Sequence, residues 1–198
     1  ISAPTGVGKT VLALETVGNI MKQRGGGVLL WITERRDIIG TQFTPYNIMS
    51  WKEGNIIPKQ TSILFKDHLK YCDKFPKYCI IASTIDTAMS KTKEQQTQYY
   101  QKLLKLDNFL GVVVDETHMA EGDKTYEMIK ELLPHSTMML GLSATHKFDP
   151  RMDNMYGGEK HKITPENVFL EYNYMQAVMD GIIRQVDFKI SRADRIAT

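Results

Sequence analysis

The chain of 198 residues has no long apolar run, little net charge and few cysteines, and each shortage excludes a class of protein. Its apolar runs are only several residues long, far short of the roughly 20 that a helix needs to cross a bilayer. The net charge of +2 provides little steering toward nucleic acid on its own. No signal peptide is visible. We therefore expect a protein of the cytoplasm, or of the nucleoid or nucleus, with no membrane partner and no secretion.

The two cysteines do not form a metal-binding pattern. Cys72 and Cys79 are separated by six residues, and His68 lies four residues before the first. A zinc site would need four ligands with tighter pairing. We expect reduced thiols, with Cys79 entering a buried strand, and no structural zinc.

The composition is that of one ordinary domain, because 42% hydrophobic residues suffice to bury a sizeable core. Apolar strand candidates alternate with helical stretches, which predicts an α/β fold with a mostly parallel sheet and helices on both faces. The predicted strands are 28–33, 61–65, 78–83, 109–114 and 137–142. The predicted helices are 10–24, 35–50, 94–106 and 123–133, the last starting at an Asp cap and stopping at Pro134.

Residues 3–10 carry the residue types of a phosphate-binding loop, the Walker A pattern. Glycines let backbone N–H groups turn around a phosphate, a lysine adds a compact positive charge, and a threonine hydroxyl can reach Mg²⁺. Ala3 stands where the strict pattern has glycine. Helix formers follow from Val11, so the phosphate would lie on a helix N-terminus, although a plain helix start with a surface lysine is the alternative. The residues predicted to hold the nucleotide are Pro4, Thr5, Gly6, Val7, Gly8, Lys9 and Thr10.

An acidic pair, Asp115 and Glu116, directly follows the predicted strand 109–114. Ligands of open α/β sheets lie outside the carboxyl ends of the strands, so this pair is expected to face the same crevice as the loop. Asp115 would hold Mg²⁺ beside Thr10, and Glu116 would orient and deprotonate the attacking water. With Lys9 they are the predicted catalytic residues. The alternative is a solvated turn that caps a helix.

Three motifs in this order resemble those of the first motor domain of superfamily 2 helicases. Residues 3–10 match motif I, Asp115-Glu116-Thr117-His118 matches the D-E-x-H (DEAH-like) form of motif II, and Ser143-Ala144-Thr145 matches motif III. The resemblance implies a RecA-like P-loop NTPase domain, truncated here at its N-terminal strand, with ATP and Mg²⁺ as cofactors. It also implies that His118, Ser143 and Thr145 couple phosphate state to movement. For His118, a polar residue that opens the next loop is the alternative.

Weaker matches lie between these motifs. The strand 28–33 and the following residues 34–39, with Gln42, resemble motif Ia, and 79–84 resembles a strand ending in motif Ib. By this resemblance Arg35, Arg36 and Thr84 would contact the nucleic-acid backbone. A solvated helix start for the arginines and a helix N-cap for Thr84 are the alternatives.

Residues 174–183 and 186–190 resemble the segment that closes the first domain in type I and type III restriction-enzyme motor subunits and related DNA translocases. This favours DNA over RNA as the partner. We expect a helicase ATP-binding domain over 1–160 and, over 161–198, a connecting segment toward a second RecA-like domain of the same parent chain. Because the arginines of that domain would complete the active site, the isolated fragment is expected to be nearly inactive.

The leading hypothesis is the ATP-binding domain of an ATP-dependent DNA helicase or translocase. The first alternative is an RNA helicase of the same superfamily. A P-loop kinase would also use the loop and a Mg²⁺-binding aspartate, but it needs an arginine-bearing lid that the sequence does not show. A degenerate, non-enzymatic scaffold is the third alternative, and the intact Lys9 and Glu116 argue against it.

Overall fold

The computed structural model describes residues 1, 3–65, 68–71, 74–91, 97–115, 123–144 and 172–183. Five parallel strands form its centre: β1 Gly27–Thr33, β2 Ser62–Phe65, β3 Tyr78–Thr84, β4 Phe109–Asp115 and β5 Met138–Leu142. Their spatial order is β2-β3-β1-β4-β5. The predicted strands are confirmed, and each differs from the prediction by one residue at one end.

The three inner strands are the most apolar because both faces of the sheet are covered. Every residue of β1 and β4 is buried, as is all of β3 after Tyr78. Parallel strands covered on both faces have continuous apolar runs rather than alternating ones, which is why these segments were visible in the sequence. Helices on the two faces therefore bury two separate apolar layers.

One layer joins the sheet to α1 (Lys9–Arg24), α2 (Arg36–Gln42) and α3 (Pro45–Glu53), and the other joins it to α5 (Ile85–Met89), α6 (Asp123–Leu132) and the 3-10 helix Tyr99–Lys105. Leu14, Trp31 and Phe43 belong to the first layer. Tyr100 and Ile129 belong to the second. In the described part of the chain, no helix has the length and apolarity needed to span a bilayer. The α-helices are α1 Lys9–Arg24, α2 Arg36–Gln42, α3 Pro45–Glu53, α4 His68–Tyr71, α5 Ile85–Met89, α6 Asp123–Leu132 and α7 Tyr174–Met179, and the 3-10 helices are Tyr99–Lys105 and Leu133–His135.

The prediction of a single helix over 35–50 is wrong, because the chain forms two helices there. Proline disfavours the helical conformation of the residue before it, so α2 ends ahead of Thr44-Pro45. The Thr44 hydroxyl then accepts a hydrogen bond from the Asn47 N–H at 3.1 Å and caps α3, with Pro45 in its first turn. This break leaves Gln42 on the last turn of α2.

Two other predicted helices differ in type or end. Residues 94–96 lie outside the described residues, and Tyr99–Lys105 is a 3-10 helix rather than an α-helix. Its buried members, Tyr100 and Leu103, are three residues apart, and this is the spacing that a 3-10 helix aligns on one face. The helix over 123–133 is confirmed as α6, but a 3-10 turn that contains Pro134 follows it without a break.

A β-bulge at Gly111 sets the direction in which the end of β4 faces. Val28 pairs with Phe109, but the next residue of β1, Leu29, pairs with Gly111, so β4 has one extra residue. Beyond the bulge, Val113 packs in the layer of α1, α2 and α3. Side chains alternate along a strand, so Asp115, two residues on, faces α1 and α2 as well.

Cys79 is fully buried in β3, as the sequence predicted. Cys72 and the side chain of His68 lie outside the described residues. Across the residues that the structure describes, no three His, Cys, Asp or Glu side chains are grouped so that they could hold a metal ion.

Candidate nucleotide-binding site

The carboxyl edge of the sheet carries an unusual concentration of buried polar residues. Thr33, Thr84 and Asp115 are the last residues of β1, β3 and β4, and Ser143 directly follows β5. All four are at most 5% exposed. The register aligns Thr33 with Thr84 and Asp115 with Leu142, so these residues lie on one edge. In open parallel sheets this edge is where ligands bind.

The predicted phosphate loop lies at this edge and leads directly into α1. Gly6 and Gly8 both have a φ of 91°, a left-handed conformation that side-chain-bearing residues rarely adopt. Gly8 is the N-cap of α1, whose first turn contains no acidic residue. The free N–H groups and the dipole of this 16-residue helix therefore favour an anion at the loop.

The lysine of the loop folds back over it. Lys9 Nζ donates hydrogen bonds to the carbonyl oxygens of Ala3 at 2.7 Å and Pro4 at 3.2 Å. Ala3, which replaces the glycine of the strict pattern, is buried, and its N–H donates to the Ser143 carbonyl at 3.0 Å. The Ser143 N–H in turn donates to the Ile1 carbonyl at 3.0 Å. The loop is thus bonded to the residue that directly follows β5, and the Lys9 ammonium group is held at the loop.

Thr10 and Asp115, the two predicted Mg²⁺ ligands, are brought together by a third residue. Gln42 Nε2 donates to Asp115 Oδ2 at 2.5 Å and lies 3.5 Å from Thr10 Oγ1. In the sequence, Gln42 stood out only through its resemblance to motif Ia, which gave it no role in metal binding. One signal could have marked it, since Gln42 lies three residues after Ile39 and directly before Phe43, both of which are buried.

The arrangement fits Mg²⁺ and a nucleotide phosphate. A threonine hydroxyl and a carboxylate are the hard oxygen ligands that Mg²⁺ takes from proteins, usually together with phosphate oxygens and water. Gln42 Oε1 is buried and has no hydrogen-bond partner among the described residues. A buried acceptor of this kind is costly unless it receives a hydrogen bond, and the water shell of a bound Mg²⁺ supplies such donors. The residues present are therefore suited to this cofactor pair.

Comparison with protein families gives a match that covers about three quarters of the chain. The model described as "Type III restriction enzyme, res subunit" matches residues 1–148. The chain belongs to this family. A comparison with curated proteins finds no matching sequence. The family is one of RecA-like superfamily 2 motor domains, which confirms both the predicted resemblance and the fold class.

Membership in the type III restriction-enzyme res family indicates an ATPase of the helicase type. Such domains generally use ATP and Mg²⁺, and the family implies an interaction with nucleic acid. Of the site residues predicted from the sequence, the structure brings together the loop 3–10, Asp115 and Ser143. Glu116, His118 and Thr145 lie outside the described residues, so their roles stay predictions.

The two arginines that are predicted to contact nucleic acid lie at the beginning of α2. Arg35 is its N-cap residue and Arg36 its first residue. The Arg35 guanidinium forms two hydrogen bonds with the Asp37 carboxylate, at 3.1 and 2.6 Å, and both side chains are more than 60% exposed. The hydrogen bonds from Arg35 lower the pKa of Asp37. A phosphate group that bound Arg35 would therefore compete with Asp37.

Thr84 differs from the arginines because its side chain is buried. Its hydroxyl accepts a hydrogen bond from the Thr87 N–H at 3.4 Å and donates to the Thr87 hydroxyl at 3.0 Å. This is the helix-capping role that the sequence left open as the alternative. Contact with nucleic acid stays a prediction for Thr84.

Residues 172–183 lie outside the family match, and their last residue, Ile183, lies near the loop. Asn173 caps α7 through its side chain, and Ala177 is fully buried. A methyl group placed on Gly6 would lie 3.8 Å from Ile183 Cγ2, which is an ordinary van der Waals contact. The domain boundary predicted at 160 is not tested by this arrangement.

Proposed function

We propose that the chain is the ATP-binding motor domain of a DNA helicase or translocase. The observation that carries this proposal is the cluster of Thr10, Gln42 and Asp115 at the carboxyl edge, directly beside a loop with the conformation and charge to hold phosphates. The family match supports the class of enzyme. The preference for DNA is supported by the restriction-enzyme character of the family.

The roles proposed for the residues follow from their chemistry. Lys9 neutralises phosphate charge, and the N–H groups of the loop orient the phosphates at the start of α1. Thr10 and Asp115 hold Mg²⁺, which when bound neutralises charge that develops on the transferred phosphoryl group. Glu116 orients the attacking water and takes its proton, a role proposed from its position directly after Asp115 in the sequence.

Coupling between the nucleotide and movement is proposed to use the bonded pair Ala3 and Ser143. A displacement of the loop is transmitted to the end of β5 because their backbones are joined at 3.0 Å. His118 and Thr145 are proposed to extend this connection. The complete active site is proposed to include arginines from a second RecA-like domain, which stabilise transition-state charge from across the cleft.

ATP hydrolysis measured with different nucleic acids tests the proposal. The full-length parent protein, which is expected to carry the second RecA-like domain, is assayed alone and with duplex DNA, single-stranded DNA and RNA, in wild-type form and as Lys9→Ala and Glu116→Gln. Lys130→Ala, an exposed lysine on α6, is the matched control for the loss of one positive charge. We expect stimulation by DNA that both site variants lose and the control retains.

Three results would change the conclusion. Stimulation by RNA alone would replace the DNA track with an RNA track. Robust hydrolysis that none of the nucleic acids alters would contradict a motor function and favour another P-loop enzyme. Full activity in Lys9→Ala would refute the phosphate site itself.

A further inference from the structure

Gln42 occupies a position that none of the predicted catalytic roles accounts for. Its side-chain amide lies between the two predicted Mg²⁺ ligands, which come from elements 32 and 73 residues away along the chain. We propose that Gln42 is a positioning residue for Mg²⁺: its amide N–H holds the Asp115 carboxylate beside the Thr10 hydroxyl, and its buried carbonyl oxygen accepts a hydrogen bond from the water shell of the ion. This inference rests on the proposed function.

The orientation of the amide is determined by its neighbours. If the amide were turned by 180°, its carbonyl oxygen would face Asp115 Oδ2 at about 2.5 Å, and two acceptors would repel each other. The N–H₂ group therefore faces Asp115. The carbonyl oxygen is then the buried atom with no partner among the described residues. It is a strong acceptor inside a site whose other groups are suited to Mg²⁺.

The backbone that carries Gln42 is fixed by its surroundings. Ile39 and Phe43, on the same helix end, are at most 5% exposed. The Phe43 ring packs edge-on against Trp31 and Trp51, with centroid distances of 5.5 and 5.6 Å. A side chain on so rigid a support can hold two ligands with little loss of conformational entropy.

A hydrogen bond from the following helix adds to this support. Asn47 Nδ2 donates to the Gln42 backbone carbonyl at 2.8 Å, which ties the end of α2 to the first turn of α3. The proline break that separates the two helices thus has a local role, because it allows α3 to bond the residue that reaches Asp115. Groups that orient metal ligands from outside the first coordination shell typically contribute about 10–100-fold to metal affinity.

The test is calorimetric binding of ADP to the full chain, with and without Mg²⁺, which does not depend on turnover. Gln42→Met removes both hydrogen bonds at similar volume, and Thr41→Ala, on the exposed side of α2, is the matched control. The measured quantity is the Mg²⁺ concentration that gives half of the Mg²⁺-dependent increase in ADP affinity. We expect this concentration to be about 10–100-fold higher for Gln42→Met than for wild type. Affinity for ADP without Mg²⁺ is expected to stay within about threefold of wild type, and high Mg²⁺ is expected to restore binding.

The outcomes separate this inference from the proposed function. Wild-type protein that binds ADP under neither condition would overturn the proposed function. If Mg²⁺ raises the ADP affinity of the wild type and of Gln42→Met at the same Mg²⁺ concentration, the role of Gln42 is overturned and the proposed function stands. If thermal melts show that Gln42→Met is not folded, Gln42→Asn decides, because its shorter amide cannot reach Asp115 and Thr10 together and is expected to shift the Mg²⁺ requirement in the same direction.

Discussion

Replacing Gly111 by alanine should destabilise the protein more than most single substitutions. Gly111 lies at the bulge of the inner strand β4, with a φ of 143° that residues with a Cβ rarely adopt. A Cβ at this position would lie 1.8 Å from the Met138 carbonyl oxygen on β5. That atom is backbone, so no side-chain rotation can relieve the overlap.

The magnitude follows from the two separate costs. A residue forced into a rarely populated φ region costs about 1–3 kcal/mol, and overpacking a well-packed interior costs about 1–3 kcal/mol. The sum, about 2–6 kcal/mol, is a large part of the roughly 5–15 kcal/mol that usually separates folded and unfolded states. With a urea dependence of about 2 kcal/mol per M, the midpoint of unfolding should fall by about 1–3 M.

The assay is urea unfolding followed by far-ultraviolet circular dichroism, with Gly40→Ala as the matched control. Gly40 is exposed on α2, and a Cβ there would have no neighbour within 4 Å. Alanine at this position should raise the free energy of unfolding by about 0.5–1 kcal/mol, because it removes glycine from a helix. A Gly111→Ala protein within about 1 kcal/mol of wild type would refute the described pairing of β4 with β5.

The remaining predictions concern two hydrogen-bonded carboxylates. Asp37→Asn should strengthen DNA binding about two- to fivefold at low salt, since it releases the Arg35 guanidinium, and fluorescence anisotropy should show no gain in an Arg35→Ala background. Tyr100→Phe should cost about 1 kcal/mol of unfolding free energy because the Tyr100 hydroxyl donates to Glu131, while Tyr99→Phe should cost almost nothing. Burial and Glu131 raise the pKa of Tyr100. The stabilisation by this hydrogen bond should therefore be complete below about pH 10 and fall at higher pH, as measured by urea unfolding. The same pH dependence in Tyr100→Phe as in wild type would contradict the assignment of this loss to Tyr100.

The sequence revealed the elements that depend on local pattern. All five strands were found because a sheet covered on both faces requires continuous apolar runs. The loop 3–10 and Asp115 were found because their chemistry is encoded in adjacent residues. Both features place the candidate site at the correct edge of the sheet without any knowledge of packing.

Features that depend on contacts between distant elements were missed. The break at Pro45 had a local signal that the helical pattern obscured. The bulge at Gly111 had an ambiguous local signal, since a glycine within an apolar run marks either a bulge or a close approach of backbone. The position of Gln42 beside two apolar residues could have marked it, but its role could not be assigned because its partners, Thr10 and Asp115, become neighbours only when α2 packs on the sheet.

The position of α2 gives the two candidate nucleic-acid arginines and Gln42, the proposed positioning residue, a shared support. This seven-residue helix starts at Arg36 and ends at Gln42, so the two groups are about 10 Å apart along a single rigid element. The bond from Gln42 to Asp115 is 2.5 Å long, and a shift of α2 by 1 Å along that line would break it. A nucleic-acid strand that displaced Asp37 from Arg35 would act on the start of the same helix. The short length of α2, which follows from Pro45, thus places both binding events within reach of one small movement.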